Sequence, residues 1–160
     1  MKTLLLLRHA KSSWDDPEIA DHDRPLAKRG RRDAPRMGAL LREEELTPDL
    51  ILSSTARRAR KTAEAVAEES GYAGEIELHD EFYPGAPQDY LSALQKVWDE
   101  YQRVMVMGHN PGLEELLETL TGETLHLPTA ALAQVALPIE HWIDLDEETE
   151  GTLINLWSPR

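Results

Sequence analysis

Three short apolar runs punctuate this sequence at wide intervals: "TLLLL" at 3–7, "DLILSS" at 49–54 and "RVMVMG" at 103–108. Each has the length of a strand and none alternates with polar residues, so each is expected as a strand buried on both faces. Such strands need helices over both faces, and the intervening segments have helical character. Residues 31–46 space Met37, Leu40 and Leu41 on one face, with Pro35 marking the first turns. Residues 55–70 are rich in alanine and stop at Gly71. Residues 87–101 form an amphipathic pattern. Residues 110–122 open with Asn110 as N-cap and Pro111 at the first position, and end at Gly122. A short strand and turn at 75–85 and two further strands at 131–138 and 151–158 complete the pattern. The order predicts one α/β domain over 1–160, a three-layer α/β/α sandwich. Its central sheet is mainly parallel, with one antiparallel edge strand.

The residues after each buried strand are more specific than the strands themselves. Arg8 and His9 come after the first, "TARRAR" with Arg57, Arg58 and Arg60 after the second, and His109-Asn110 after the third, directly before a helix. Ligands of open α/β sheets bind outside the carboxyl ends of the strands. A parallel sheet therefore gathers two histidines, one or more arginines and a helix N-terminus at one edge. That set suits an anion, phosphate above all. With two histidines present, phosphoryl transfer through a phosphohistidine becomes chemically reasonable. One imidazole attacks phosphorus while the arginines and the other histidine hold the equatorial oxygens. The attacking imidazole must be unprotonated on one nitrogen, so its other nitrogen needs an acceptor, such as a backbone carbonyl at the strand end.

Composition narrows the alternatives. The formal net charge of −13 argues against an extended nucleic-acid footprint and against docking on anionic lipid, but leaves room for a local basic pocket. There is no cysteine, hence no disulfide, thiolate nucleophile or zinc–sulfur site. No stretch approaches the roughly 20 apolar residues of a membrane span. The apolar run before Arg8 is too short for a signal peptide, so a cytoplasmic location is expected. No long amphipathic seam is present, so a monomer is expected. His22 and the His79-Asp80 pair lack the spacing of metal ligands and are expected on surface loops; no metal and no cofactor are expected. Neither a phosphate loop of the G-x-x-x-x-G-K-[ST] type nor G-x-G-x-x-G occurs.

"LLRHAKSSW", "LSSTARRARKTAE" and "MVMGHNP", in that order, resemble the histidine phosphatase superfamily. "DRPLAKRGRRDA" and "GHNPGLEEL" are similar to its small phosphohistidine phosphatase branch. The resemblance implies a phosphoglycerate mutase-like fold and a metal-free phosphatase working through a phosphoenzyme. It implies His9 as nucleophile, Arg8 and Arg58 as phosphate ligands and His109 as the second pocket histidine. Ser12 falls where the family often places a hydroxyl near the phosphate, and Ser12 and Asn110 are the further expected phosphate-binding residues. Ala10 stands where the family usually has glycine. Longer relatives draw a proton donor from the segment here numbered 59–108, where the candidates are Asp80 and Glu81. Phosphohistidine on a protein is the implied substrate. A small phosphorylated metabolite or nucleotide is the alternative, and a non-catalytic phosphoprotein-binding module is the alternative of another class. Arg57 and Arg60 are expected to be structural and Trp14 to pack in its loop. The basic segment 24–32 reads equally as a rim for a phosphorylated partner and as a solvated helix start.

Overall fold

The computed structural model describes residues 1–159. Six strands form one sheet: β1 (Lys2–Arg8), β2 (Leu50–Ser54), β3 (Ile76–His79), β4 (Arg103–Gly108), β5 (Leu132–Leu137) and β6 (Thr152–Trp157). Their spatial order is β3-β2-β4-β1-β5-β6. The first four run parallel; β5 pairs antiparallel with β1, and β6 antiparallel with β5, so the antiparallel edge is a two-strand unit. Four helices cover the sheet: α1 (Lys28–Glu43), α2 (Arg57–Ser70), α3 (Pro87–Leu94) and α4 (Gly112–Thr121). No helix among the described residues is long and apolar enough to cross a membrane.

The leucine run of β1 explains the layering. Side chains alternate across a strand, so Leu4 and Leu6 pack in one core with α3 and α4. Leu5 and Leu7 pack in the other with α1 and α2. All four are fully buried. At about 1.5–3 kcal/mol for each buried leucine side chain, a strand with only one apolar face would forfeit one of the two cores.

This layering also creates the crevice. β1 and β4 are neighbours. The chain leaving β1 goes to α1 on one face, and the chain leaving β4 goes to α4 on the other. Connections diverging from adjacent parallel strands open a gap at their carboxyl ends, the usual ligand position in such sheets. His9 and His109 are the residues at that gap.

Three local expectations, on α1, α3 and Asn110, are corrected. Helix α1 begins at Lys28, not 31, and ends at Glu43. The Ala27 N–H donates to the Lys11 carbonyl at 2.8 Å, which ties the helix start to the loop after β1 and places Pro35 inside the helix. Helix α3 ends at Leu94 instead of running to 101. Tertiary bonds override its amphipathic pattern. Asp99 turns its carboxylate to the Trp142 N–H (2.9 Å), and Lys2 Nζ donates to the Asp99 carbonyl (2.6 Å). Asn110 is not the cap of α4: Pro111 holds that position, and Asn110 Nδ2 donates instead to the Leu127 carbonyl at 2.8 Å. The 75–85 segment contains β3 and then a 3-10 turn at Asp80–Phe82.

Candidate active site

Backbone bonds to three separate elements immobilise His9. Its N–H donates to the Gly108 carbonyl (3.2 Å), its carbonyl accepts from Ala130 N–H (3.0 Å), and the next N–H, of Ala10, donates to Thr62 Oγ1 on α2 (3.0 Å). Thr62 Oγ1 in turn donates to the Arg58 carbonyl at 2.7 Å, coupling the His9 loop to the turn that carries Arg58. His9 Nδ1 lies 2.8 Å from the Ala10 carbonyl. A carbonyl only accepts, so Nδ1 carries the hydrogen and Nε2 keeps its lone pair. Burial is the main cause that lowers the His9 pKa to about 3, with the His109, Arg58 and Arg8 charges acting in the same direction. The ring is therefore neutral at ordinary pH.

His109 faces it, with ring centroids 5.0 Å apart. The His109 N–H donates to the buried Tyr90 hydroxyl at 3.3 Å, and its Nε2 lies 2.8 Å from Ser54 Oγ at the end of β2. Ser54 Oγ also accepts from Ala56 N–H (3.1 Å). Ser54 Oγ keeps a hydrogen and a lone pair for His109 Nε2, so this bond suits either ring tautomer. Burial, then the Arg58 charge, lowers the His109 pKa to about 3. Burial also drives the Tyr90 hydroxyl up to about 12, which keeps it neutral. Gly108 is required beside it, because a Cβ there would collide with the Tyr90 hydroxyl.

Arg8, His9, Ser12, Arg58, His109 and Asn110 all line one cavity of about 220 Å³. Three of them bury a side-chain nitrogen that has no protein partner among the described residues: Arg8 Nε, Arg58 Nε and His109 Nδ1. Buried donors are rarely left unpaired. Two guanidinium groups at one small cavity suit a multidentate acceptor such as a tetrahedral oxyanion, and the buried Asn110 Oδ1 there is an acceptor without a protein partner. Arg8 Nη1 is anchored on the Leu127 carbonyl (3.0 Å), and the two terminal nitrogens of Arg58 on the Asp21 carbonyl (2.7 Å) and carboxylate (3.1 Å).

A family profile for the histidine phosphatase superfamily (branch 1) matches residues 4–83. The chain belongs to the histidine phosphatase superfamily. Its structure superposes on one assigned as SixA, a phosphohistidine phosphatase, from Agrobacterium tumefaciens, with TM-score 0.83 and 35% identity over 99% of both chains. It also superposes on the protein histidine phosphatase SixA complexed with tungstate, with TM-score 0.84 and 27% identity over 98% of this chain and 97% of that one. An uncharacterized chloroplastic protein from Arabidopsis thaliana is 40% identical over 144 residues, 83% of this chain and 66% of its own length. An uncharacterized protein of Mycobacterium tuberculosis is 33% identical over 88% of this chain and 92% of its own. This histidine phosphatase domain is accordingly a phosphatase of the hydrolase class.

Several contributors are not apparent from sequence spacing. Arg24, within the basic 24–32 segment, is buried in the site. It donates to Ser12 Oγ (2.7 Å) and Asp21 (3.0 Å), and its guanidinium stacks 3.5 Å from the Trp14 ring centroid. Trp14 therefore lines the cavity instead of packing only within its loop. Asp21 accepts from the Tyr83 hydroxyl (2.6 Å) and from both Arg24 and Arg58. Those donors, Tyr83 first, hold its carboxyl well below the usual carboxylate range. Ser54, the last residue of β2, orients His109. Local patterning does not reveal these roles, since each arises from a contact between distant segments.

Asp80 and Glu81 do not line the cavity. Glu81 accepts from His79 Nδ1 at 2.7 Å, and its carboxyl is lowered by a backbone N–H first and His79 second. The turn after β3 presents Tyr83 to the site in their place, edge-on to His109 with centroids 5.5 Å apart. Arg57 is exposed, with one bond to the Asp23 carbonyl at 3.4 Å, and Arg60 donates to the Thr55 carbonyl at 3.0 Å. Among the described residues no three His, Asp or Glu side chains converge as a metal set.

The two buried histidines set a pH dependence of stability. Both have folded pKa values near 3 against about 6.5 in the unfolded chain. The unfolded state binds more protons between those values, so stability is full above pH ~6.5 and falls as pH drops toward 3. A tenfold difference in proton affinity between the two states corresponds to about 1.4 kcal/mol. Thermal unfolding scanned from pH 7 to 4 is expected to show a falling Tm whose slope is reduced in His9→Asn. Parallel curves for the two proteins would contradict the buried neutral histidine.

Proposed function

We propose that this histidine phosphatase hydrolyses phosphohistidine on a protein, without a metal, in two displacements through His9. The observation that carries this reading is the pairing of a free, neutral His9 Nε2 with a cavity that no carboxyl group lines. In the first step Nε2 attacks phosphorus. The Nε2–P bond forms and the P–N bond to the substrate breaks; the substrate ring, already protonated by solvent on its other nitrogen, leaves as a neutral imidazole with the electron pair. In the second step water attacks the phosphoenzyme, His9 leaves, and the water proton ends on the released phosphate. Arg8, Arg58 and His109 hold the equatorial oxygens throughout.

The absence of a carboxylic acid from the lining selects the leaving group. An alkoxide needs a strong general acid, worth about 10²–10⁴-fold. Imidazole leaves more readily and titrates near neutrality. Asp21, the carboxylate bonded to Arg58, stays ionised and has no proton to donate. Two guanidinium groups against the histidines also oppose a metal cation, so a chelator is expected to change nothing.

The test is a turnover panel of phosphoramidate, a phosphohistidine peptide, phosphoserine, phosphotyrosine and a sugar phosphate. The two P–N compounds are expected to exceed the sugar phosphate by about 10²-fold or more in kcat/KM. Equal rates would sink the proposal and favour a phosphatase for small phosphorylated metabolites. Rapid-quench trapping of phosphorylated His9 separates either enzyme from a module that only binds phosphate.

A further inference from the structure

The charge distribution points to a second surface. Although the chain carries a net charge of −13, residues 28–36 and 57–61 hold nine of its 17 Lys and Arg and a single acidic residue, Asp33. These segments are the amino-terminal halves of α1 and α2, which pack against each other. Cations there oppose the helix dipoles, which favour acidic residues in the first turn. Helix α3 obeys that preference with Asp89 and α4 with Glu114 and Glu115, whereas α1 and α2 have no acidic residue in the first turn. Helix stability thus gives no reason for this placement.

Between the two helices lies a groove of about 310 Å³. Leu26, Ala34 and Ala65 form its apolar lining, and Arg31, Arg57 and Lys61 its charged lining. All three cations are exposed, and Lys61 pairs with the exposed Glu64 at 3.2 Å, where water screens the pair. Arg31 and Arg57 are anchored on carbonyls, of Leu26 at 2.8 Å and Asp23 at 3.4 Å, which positions their charges without neutralising them. The groove adjoins the phosphate cavity. Residues 24–27 form the shared wall: Arg24 lines the cavity, Leu26 lines the groove, and Ser12 pairs with Leu26 in a β-bridge. On the α2 side, Arg58 lines the cavity and Arg57 the groove.

We propose that this groove docks an acidic segment of the phosphoprotein substrate, adjacent in space to its phosphohistidine. The proposal rests on the protein-phosphohistidine reading of the active site and names how the protein part is recognised. The apolar lining takes aliphatic stems, and the cations meet carboxylates. An extended nucleic acid fits less well, because the strongly acidic remainder of the surface repels it.

Three probes test this: phosphoramidate, a phosphohistidine peptide flanked by Glu, and the same peptide flanked by Gln. At low salt the native protein is expected to favour the Glu peptide about tenfold in kcat/KM, carried by KM. R31E/K61E is expected to abolish that preference while phosphoramidate turnover stays within about twofold. The unphosphorylated Glu peptide is expected to inhibit hydrolysis of the Glu phosphopeptide by the native protein, with phosphoramidate hydrolysis untouched. This arm holds even where the double variant folds poorly. Equal rates on the Glu and Gln peptides would overturn the docking surface, as would a preference that survives R31E/K61E. So would a single-stranded oligonucleotide competing where the acidic peptide does not. Turnover of phosphoramidate with no turnover of either peptide would overturn the protein-phosphohistidine reading itself, and the docking surface with it.

Discussion

His9→Ala is expected to reduce turnover by roughly 10⁴-fold or more, the scale seen when a nucleophile is removed, while the protein remains folded. The bonds that hold this loop are made by the backbone: His9 N–H to Gly108, Ala130 N–H to the His9 carbonyl, and Ala10 N–H to Thr62. None depends on the imidazole, so the strand end survives the substitution. The ring itself makes one hydrogen bond, to the adjacent Ala10 carbonyl. Losing it and the ring's packing leaves a small cavity. The variant also loses a group that resists protonation, so its stability falls less steeply in acid. Phosphate is still expected to bind, because Arg8, Arg58 and His109 remain. Rapid-quench with a phosphoramidate should then show no phosphoenzyme. Turnover within tenfold of the native protein would refute His9 as the nucleophile.

Arg58→Ala is the second large effect. Removal of one donor aimed at developing charge costs about 2.7–4 kcal/mol, or 10²–10³ in kcat. The side chain is 6% exposed, its Nε is unpartnered, and the other two nitrogens are fixed on Asp21. The loss is expected in chemistry more than in stability. Asp21 keeps its bonds from Tyr83 and Arg24, and its half-exposed carboxylate is screened by water. Arg58→Lys should recover only part of the rate, since an ammonium keeps the charge but cannot hold Asp21 and point a second N–H at phosphate together. Arg57→Ala is the control, with phosphoramidate turnover expected within about twofold. A large loss at Arg57 and none at Arg58 would reverse the assignment. Single-turnover rates with Kd measured separately distinguish lost chemistry from lost binding.

The cluster of histidines and arginines that lines one cavity could be read from the chain because its parts are local. Each of Arg8-His9, Arg58 and His109 closely follows a buried apolar strand, and strand burial is encoded in residue spacing. Parallel strands then deliver their ends to one edge, whatever their order. The order itself is non-local. That β1 lies beside β4, placing the two imidazoles 5.0 Å apart, depends on strand pairing and helix packing between segments distant in the chain. The same limit hid Arg24, whose place in the site comes from a loop folded back onto Ser12.

The two carboxylates expected as general-acid candidates show this limit most clearly. Asp80 and Glu81 lie in the right segment, but the turn after β3 aims Tyr83 at the site, and Tyr83 binds Asp21 from a loop 62 residues earlier. Asn110 shows it on a smaller scale, with its amide drawn from the helix start to the Leu127 carbonyl. Chain-local chemistry and burial therefore specified which histidines and arginines stand at the sheet edge, and the family resemblance assigned their expected roles. Which side chains surround them, and which carboxylate stays ionised at their border, was decided by contacts between segments far apart in the chain, whose energies no local pattern records.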